Sequence, residues 1–115
     1  MAELLAGDDE LCTCGTIVAE VFQGLRREEG RRAIQTSFED LTFLEPSGIG
    51  LYFRAAEVYR RLRQTGRTVR STIDCLIAVI AEENACYLLA RDRDLDAILD
   101  SGLVRVKAWP SAGAR

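Results

Sequence analysis

Short apolar runs divide the sequence into predicted strands. They fall at residues 11–14, 41–44, 86–90 and 103–106, and polar or turn-forming residues bound each run. Short continuous apolar runs of this kind are typical of strands buried in a sheet.

The segments between these runs have apolar residues at helical spacing and are predicted to be helices. One helix follows Thr16, which is suited to cap it, and others cover residues 28–37, 48–64 and 94–100. The stretch that begins at Ser71 is apolar on nearly every side and too long for a typical strand, so we expect a buried helix there.

The alternation of strands and helices predicts an α/β fold, in which a central parallel sheet is covered by helices on both faces. With 115 residues the chain is long enough for one domain. We assign this domain to residues 1–109 and expect a loose tail at residues 110–115. Parallel α/β domains usually begin with a strand. Here residues 2–6 are predicted to be the end of a helix stopped by Gly7, so we expect an N-terminal truncation that removes the first strand.

The composition excludes several classes of protein. The composition is ordinary for a globular protein, with a hydrophobic fraction of 48% and a charged fraction of 29%. The net charge of −3 does not indicate nucleic-acid binding. No apolar run reaches the roughly 18 residues of a membrane span, and the N-terminus lacks the basic stretch of a secretory signal. We therefore expect a cytoplasmic protein that does not bind a membrane.

Arginine dominates the basic residues. Of the 15 basic residues 14 are arginine, and six of them fall within residues 54–70. Arginine suits bidentate contacts with phosphate or carboxylate groups. A solvated helix face explains the same residues equally well.

The cysteines at positions 12, 14, 75 and 86 are expected to be reduced and partly buried. Free cysteine usually behaves as a small buried hydrophobe. Zinc is not expected, because the spacing does not match a zinc site and the sequence has no histidine.

Three acidic residues are predicted to lie at one edge of the sheet. Glu20 is one turn into the helix after the first predicted strand, and Asp74 is the single charge in the apolar part of the buried helix. Asp92 directly follows the third predicted strand. Ligands in open α/β sheets bind beyond the carboxyl ends of the strands, which is where these segments meet.

Each acid also has a structural explanation. Glu20 fits the border of an amphipathic helix, and Asp74 stands at capping-box spacing from Ser71. Asp92 can cap the last helix, in whose first turn Asp94 is favoured by the helix dipole. From the residues alone these explanations stay open beside the functional one.

Taken together, the three acids indicate a metal site. Clustered carboxylates repel each other, and a divalent cation is the usual way to stabilise them. Oxygen ligands without histidine favour Mg²⁺ or Mn²⁺. Such a site suits phosphodiester hydrolysis, in which metal activates water and stabilises charge on the phosphate.

Three stretches carry a family resemblance, namely residues 16–25 (TIVAEVFQGL), 71–78 (STIDCLIA) and 88–95 (LLARDRDL). In these the chain resembles the PIN-domain family, and within it the VapC-like ribonuclease toxins of toxin–antitoxin systems. The resemblance covers almost all of residues 2–109.

The resemblance implies an endoribonuclease that depends on Mg²⁺ or Mn²⁺ and cleaves single-stranded RNA. It also implies a homodimer and neutralisation by a cognate antitoxin that inserts a segment into the acidic groove. The family's second, third and fourth acids carry over onto Glu20, Asp74 and Asp92. Asp94 matches an acid often found near the fourth and joins the expected metal ligands. Thr16 matches the Ser or Thr often found before the second acid.

Substrate contacts are expected from Thr16, Arg91 and Arg93, because the two arginines flank Asp92 and can meet the RNA backbone. The chain departs from the family at the first acid. That residue lies in an opening, central strand with an Asp-Thr-Ser-like motif, and this sequence has no such motif.

Two further interpretations remain. The missing first acid favours a catalytically incomplete PIN-like module that acts by binding or dimerisation. A phospho-receiver domain also clusters acids at a sheet edge, but it would require a paired acid after the first strand and a lysine after the last. Lys107 is the single lysine, and no paired acid follows a strand at the right place.

Overall fold

The computed structural model describes residues 5–7, 10–67, 69–89 and 93–108. Within these ranges strands and helices alternate over most of the chain, as the hydrophobic pattern predicts. The elements are β1 (Leu5–Gly7), β2 (Glu10–Cys14), α1 (Gly15–Gln23), α2 (Arg31–Glu39), β3 (Thr42–Leu44), α3 (Ile49–Gln64), α4 (Thr72–Glu83), β4 (Tyr87–Leu88) and α5 (Arg93–Ser101).

The described strands form one sheet in the order β3-β2-β1-β4. β2 and β3 are parallel, as predicted, with Thr13 opposite Phe43. β1 is antiparallel to both of its neighbours. The α/β class is therefore confirmed, and the predicted parallel pairing is present between β2 and β3, whereas β1 makes the sheet a mixed one. Only two residues separate β1 from β2 in the sequence, and so short a connection can join only antiparallel strands.

The predicted helix end at residues 2–6 is also wrong where the structure describes it, since residues 5–7 form β1. Residues 2–4 lie outside the described part. β1 pairs with Leu88 of β4 on one side and with Cys12 of β2 on the other. The central position of the sheet, where we expected a strand to be absent, thus holds a short antiparallel strand.

Helix α4 is the centre of the core, as the apolar run after Ser71 predicts. Ser71 caps the helix, and its Oγ accepts a hydrogen bond from the Ile73 backbone N–H at 3.3 Å. Ile77 and its neighbours up to Ala81 are buried, and α3 and α5 both pack against the helix. All four cysteines are free, as predicted, and they are buried rather than partly buried.

Two local predictions are corrected. Residues 103–106 do not form a strand; the Arg105 backbone N–H donates to a Glu82 carboxylate oxygen at 2.7 Å, and the Leu103 carbonyl accepts from Arg54 at 3.1 Å. Side chains of α3 and α4 thus take backbone groups that a ladder would need, and further on Ala108 forms an isolated parallel bridge. The expected tail at residues 110–115 lies outside the described ranges.

The second correction concerns the start of α1. Thr16 does not cap it, because the helix begins at Gly15 with Cys14 as the N-cap residue. The Thr16 hydroxyl lies instead 3.3 Å from the Cys14 thiol. Across the part of the chain that the structure describes, no helix is long and apolar enough to span a membrane.

Candidate metal site

Asp74 lies in the first turn of α4 and is almost completely buried. It is the third residue of the helix, and only 9% of its surface is exposed. Carboxylates near a helix N-terminus are stabilised by the helix dipole. Burial of a carboxylate nevertheless costs free energy unless the charge is paired or bound to metal. Asp74 is therefore a buried carboxylate whose desolvation has to be offset by such contacts.

The first turn of α5 places Asp94 even deeper, at 3% exposure. Its Oδ2 accepts two hydrogen bonds from Arg70, one from the backbone N–H at 3.3 Å and one from Nε at 3.0 Å. Burial raises the pKa of Asp94, but these bonds and the charges of Arg70 and Arg93 outweigh it and lower the pKa below its usual value. Asp94 is therefore ionised at neutral pH.

Cys75 follows Asp74 in α4, and both acids affect its thiol. Burial raises the pKa of its thiol, and the charges of Asp74 and Asp94 raise it further, to about 11. The two acids are 20 positions apart in the sequence, and α4 and α5 pack against each other. The hydrogen bonds from Arg70 to Asp94 join the segment before α4 to the first turn of α5.

The structure describes only some of the remaining predicted site residues. Glu20 lies on α1 and is partly buried, and α1 packs against α4. Among the described residues, no three Asp, Glu, Cys or His side chains lie close enough to hold a metal ion. Asp92 and Arg91 lie outside the described residues, so the complete set of ligands stays a prediction. Arg93 is exposed at the first position of α5, next to Asp94.

The described part of the site fits a hard divalent cation in its donor chemistry. Its donors are carboxylate oxygens, which Mg²⁺ and Mn²⁺ prefer. The two hydrogen bonds from Arg70 both end on Oδ2 of Asp94, and neither uses Oδ1. A ligating carboxylate commonly has one oxygen held by neighbouring donors in this way.

Sequence reasoning did not single out Arg70. It belongs to the arginine-rich segment 54–70, but nothing in the sequence shows that it reaches Asp94, 24 positions further on. Sequence reasoning also missed an arginine–carboxylate cluster at the other end of α4. There the Glu82 carboxylate accepts hydrogen bonds from Arg54 and from the Arg105 backbone N–H.

Comparison with known proteins identifies the class to which this chain belongs. The PIN domain family matches residues 1–99, and the chain is a member of this family. This confirms the family resemblance seen in the sequence.

The chain is similar to two mycobacterial proteins in particular. They are the VapC ribonuclease Mb1587 of Mycobacterium bovis and the ribonuclease VapC11 of Mycobacterium tuberculosis. Each is 31% identical to the chain over 88 residues. The aligned part is 76% of this chain and 66% of either relative, so it spans slightly less than two thirds of their length.

Proposed function

We propose that the chain is a metal-dependent endoribonuclease that cleaves single-stranded RNA as the toxin of a toxin–antitoxin pair. The observation that carries this proposal is the pair of buried acids, Asp74 and Asp94, in the first turns of two helices that pack against each other. Membership of the PIN domain family and similarity to VapC ribonucleases support it.

The proposed metal ligands are Glu20, Asp74, Asp92 and Asp94. When bound there, Mg²⁺ or Mn²⁺ would supply an activated water and stabilise charge on the phosphate. The helix N-termini hold Asp74 and Asp94 in place, and Arg70 keeps Asp94 ionised. Asp94 therefore needs no proton loss at neutral pH to accept a cation.

RNA contacts are proposed for Thr16, Arg91 and Arg93. The exposed position of Arg93 beside Asp94 supports a role in binding the phosphate backbone near the acids. Such contacts fix the position of the strand and carry no sequence information.

The proposed partners are a cognate antitoxin and a second copy of the chain, in the cytoplasm. Three large apolar side chains are exposed around the first turn of α3, namely Ile49, Tyr52 and Phe53. Exposed apolar patches on globular proteins often mark protein interfaces. This patch supports a protein partner without distinguishing the two.

Cleavage of a fluorogenic single-stranded RNA by an Asp74→Asn variant tests the activity. We expect the rate with Mg²⁺ or Mn²⁺ to fall at least about 100-fold, because the variant removes a charge at the metal position. Glu82→Gln is the matched control and keeps the wild-type rate, since Glu82 lies at the other end of α4. Undiminished cleavage by Asp74→Asn would rule out the proposed role.

One observation favours a second candidate, a PIN-like binding or dimerisation module without catalysis. The described residues contain no group of three potential metal ligands. Calorimetric titration of the chain with Mn²⁺ separates the two candidates. Absence of binding heat at millimolar Mn²⁺ would favour the module, whereas saturable binding that Asp74→Asn removes supports the nuclease.

A further inference from the structure

We propose that Arg70 is a positioning residue that anchors Asp94 for metal binding. This inference rests on the proposed function of the acidic site. Arg70 lies in the connection between α3 and α4 and reaches across to the first turn of α5. It links the segment before Asp74 to the second acid of the site.

The geometry of the contact distinguishes anchoring from simple charge neutralisation. Arg70 uses both its backbone N–H and its Nε, and both bonds end on the same oxygen, Oδ2 of Asp94. Two donors on one oxygen fix the rotation of the carboxylate, and Oδ1 is then the oxygen presented to a further ligand. Donors that hold metal-ligating carboxylates orient them and tune their affinity.

Burial makes this anchor effective. The Asp94 side chain is only 5% exposed, whereas the Arg70 side chain is 77% exposed. An ion pair between two exposed side chains contributes little, but one with a desolvated carboxylate is screened far less by water. The exposed guanidinium therefore holds a carboxylate that has few other ways to be solvated.

A second contact secures the same connection. Arg67 Nη1 donates to the Ala97 carbonyl of α5 at 3.2 Å. The connection between α3 and α4 is thus bound to α5 at two points, one turn of helix apart. This hydrogen bond ends on the backbone of α5 and not on a carboxylate, so Arg67 offers a test of whether attachment of the helix alone is sufficient.

The inference is tested by calorimetric titration of the purified chain with Mn²⁺. We expect Arg70→Ala to weaken Mn²⁺ binding about 10- to 100-fold, as loss of a ligand's supporting donor commonly does. The chain offers two controls. Arg67→Ala removes a contact with α5 but none with a carboxylate, and Arg32→Ala removes an exposed charge on α2. Both keep the wild-type affinity.

RNA cleavage provides a readout that a purely structural role would not change. In Arg70→Ala, raising Mn²⁺ restores cleavage toward the wild-type rate, because the ligands remain and only their affinity has fallen. In Asp74→Asn it does not. If Arg70→Ala lowers thermal stability but binds Mn²⁺ like the wild type, Arg70 is a structural residue and the inference is wrong.

The outcomes separate this inference from the proposed function. If Asp74→Asn loses Mn²⁺ binding while Arg70→Ala keeps it, the metal site stands and the anchoring role fails. If neither Asp74→Asn nor Asp94→Asn changes Mn²⁺ binding, the proposed site itself fails, and the inference with it.

Discussion

An arginine–carboxylate cluster lies near each end of α4. The two clusters differ in whether one or both oxygens of the carboxylate accept hydrogen bonds. At the C-terminal end, Oε1 of Glu82 accepts from Arg54 Nη2 at 2.7 Å and Nε at 3.0 Å, and Oε2 accepts from the Arg105 N–H at 2.7 Å. At the N-terminal end, Asp94 accepts both of its hydrogen bonds from Arg70 on a single oxygen.

This difference indicates that the Glu82 cluster has a structural role, whereas the Asp94 cluster is a candidate binding site. Glu82 uses both oxygens to fasten α3 and the chain after α5 to α4, so each oxygen already has a protein donor. A second buried acid, Asp74, stands in the first turn of α4, which packs against α5. Buried carboxylates on packed helices are a usual setting for a bound cation.

The largest expected effect comes from the core that underlies both clusters. Ile77 is fully buried in the middle of α4. Ile77→Ala should lower the free energy of unfolding by about 2–5 kcal/mol, because it removes buried atoms and leaves a cavity. Urea unfolding followed by circular dichroism measures the change.

The matched control for this variant is Ile49→Ala on α3, where the side chain is 71% exposed. We expect it to change the free energy of unfolding by less than about 0.5 kcal/mol. Equal losses in the two variants would show that α4 is not the packed centre of the domain.

An intermediate effect on the free energy of unfolding is expected at the Glu82 cluster. Glu82→Gln should lower the free energy of unfolding by about 1 kcal/mol, since charge-assisted hydrogen bonds become neutral ones on a partly exposed side chain. The same urea titration measures it, with the wild-type chain as reference. A variant as stable as the wild type would remove the distinction between the two ends of α4.

The smallest expected effect is a dependence of the free energy of unfolding on pH. Burial raises the pKa of Glu82, but the bonds from Arg105 and Arg54 outweigh it and lower the pKa below its ordinary value. The unfolded state therefore binds more protons than the folded state near the ordinary pKa of about 4.3. Stability from this group is present above that pH and is lost as the pH falls through the lowered value.

Arg54→Ala removes part of this dependence, because the Arg105 backbone N–H remains as a donor. Between about pH 5 and pH 3 its free energy of unfolding should fall less steeply than that of the wild type. Acid unfolding curves at several urea concentrations measure the slopes. Identical slopes would contradict the assignment of the lowered pKa to Arg54.

The sequence was sufficient for features that depend on local pattern. The apolar run after Ser71 predicts the buried helix α4, and the position of Asp74 in its first turn follows from the same pattern. The short run at residues 41–44 likewise predicts β3. In each case one segment contains enough information to define the element and the face that it buries.

Features that depend on distant partners could not be predicted in this way. Leu5–Gly7 reads as a helix end, and only pairing with β2 and β4 makes it a strand. Residues 103–106 have a strand-like pattern, but Glu82 and Arg54 take their backbone groups. The pairing of Arg70 with Asp94 joins two segments separated by all of α4 and β4, which no local pattern contains.

The central claim is that the acids at the N-terminal end of α4 bind a divalent cation and that Glu82 does not. Calorimetric titration with Mn²⁺ of the wild type, Asp94→Asn and Glu82→Gln tests it directly. We predict that Asp94→Asn weakens binding at least about 10-fold while Glu82→Gln keeps the wild-type affinity. Equal affinities in all three proteins, or an equal loss in both variants, would contradict the claim.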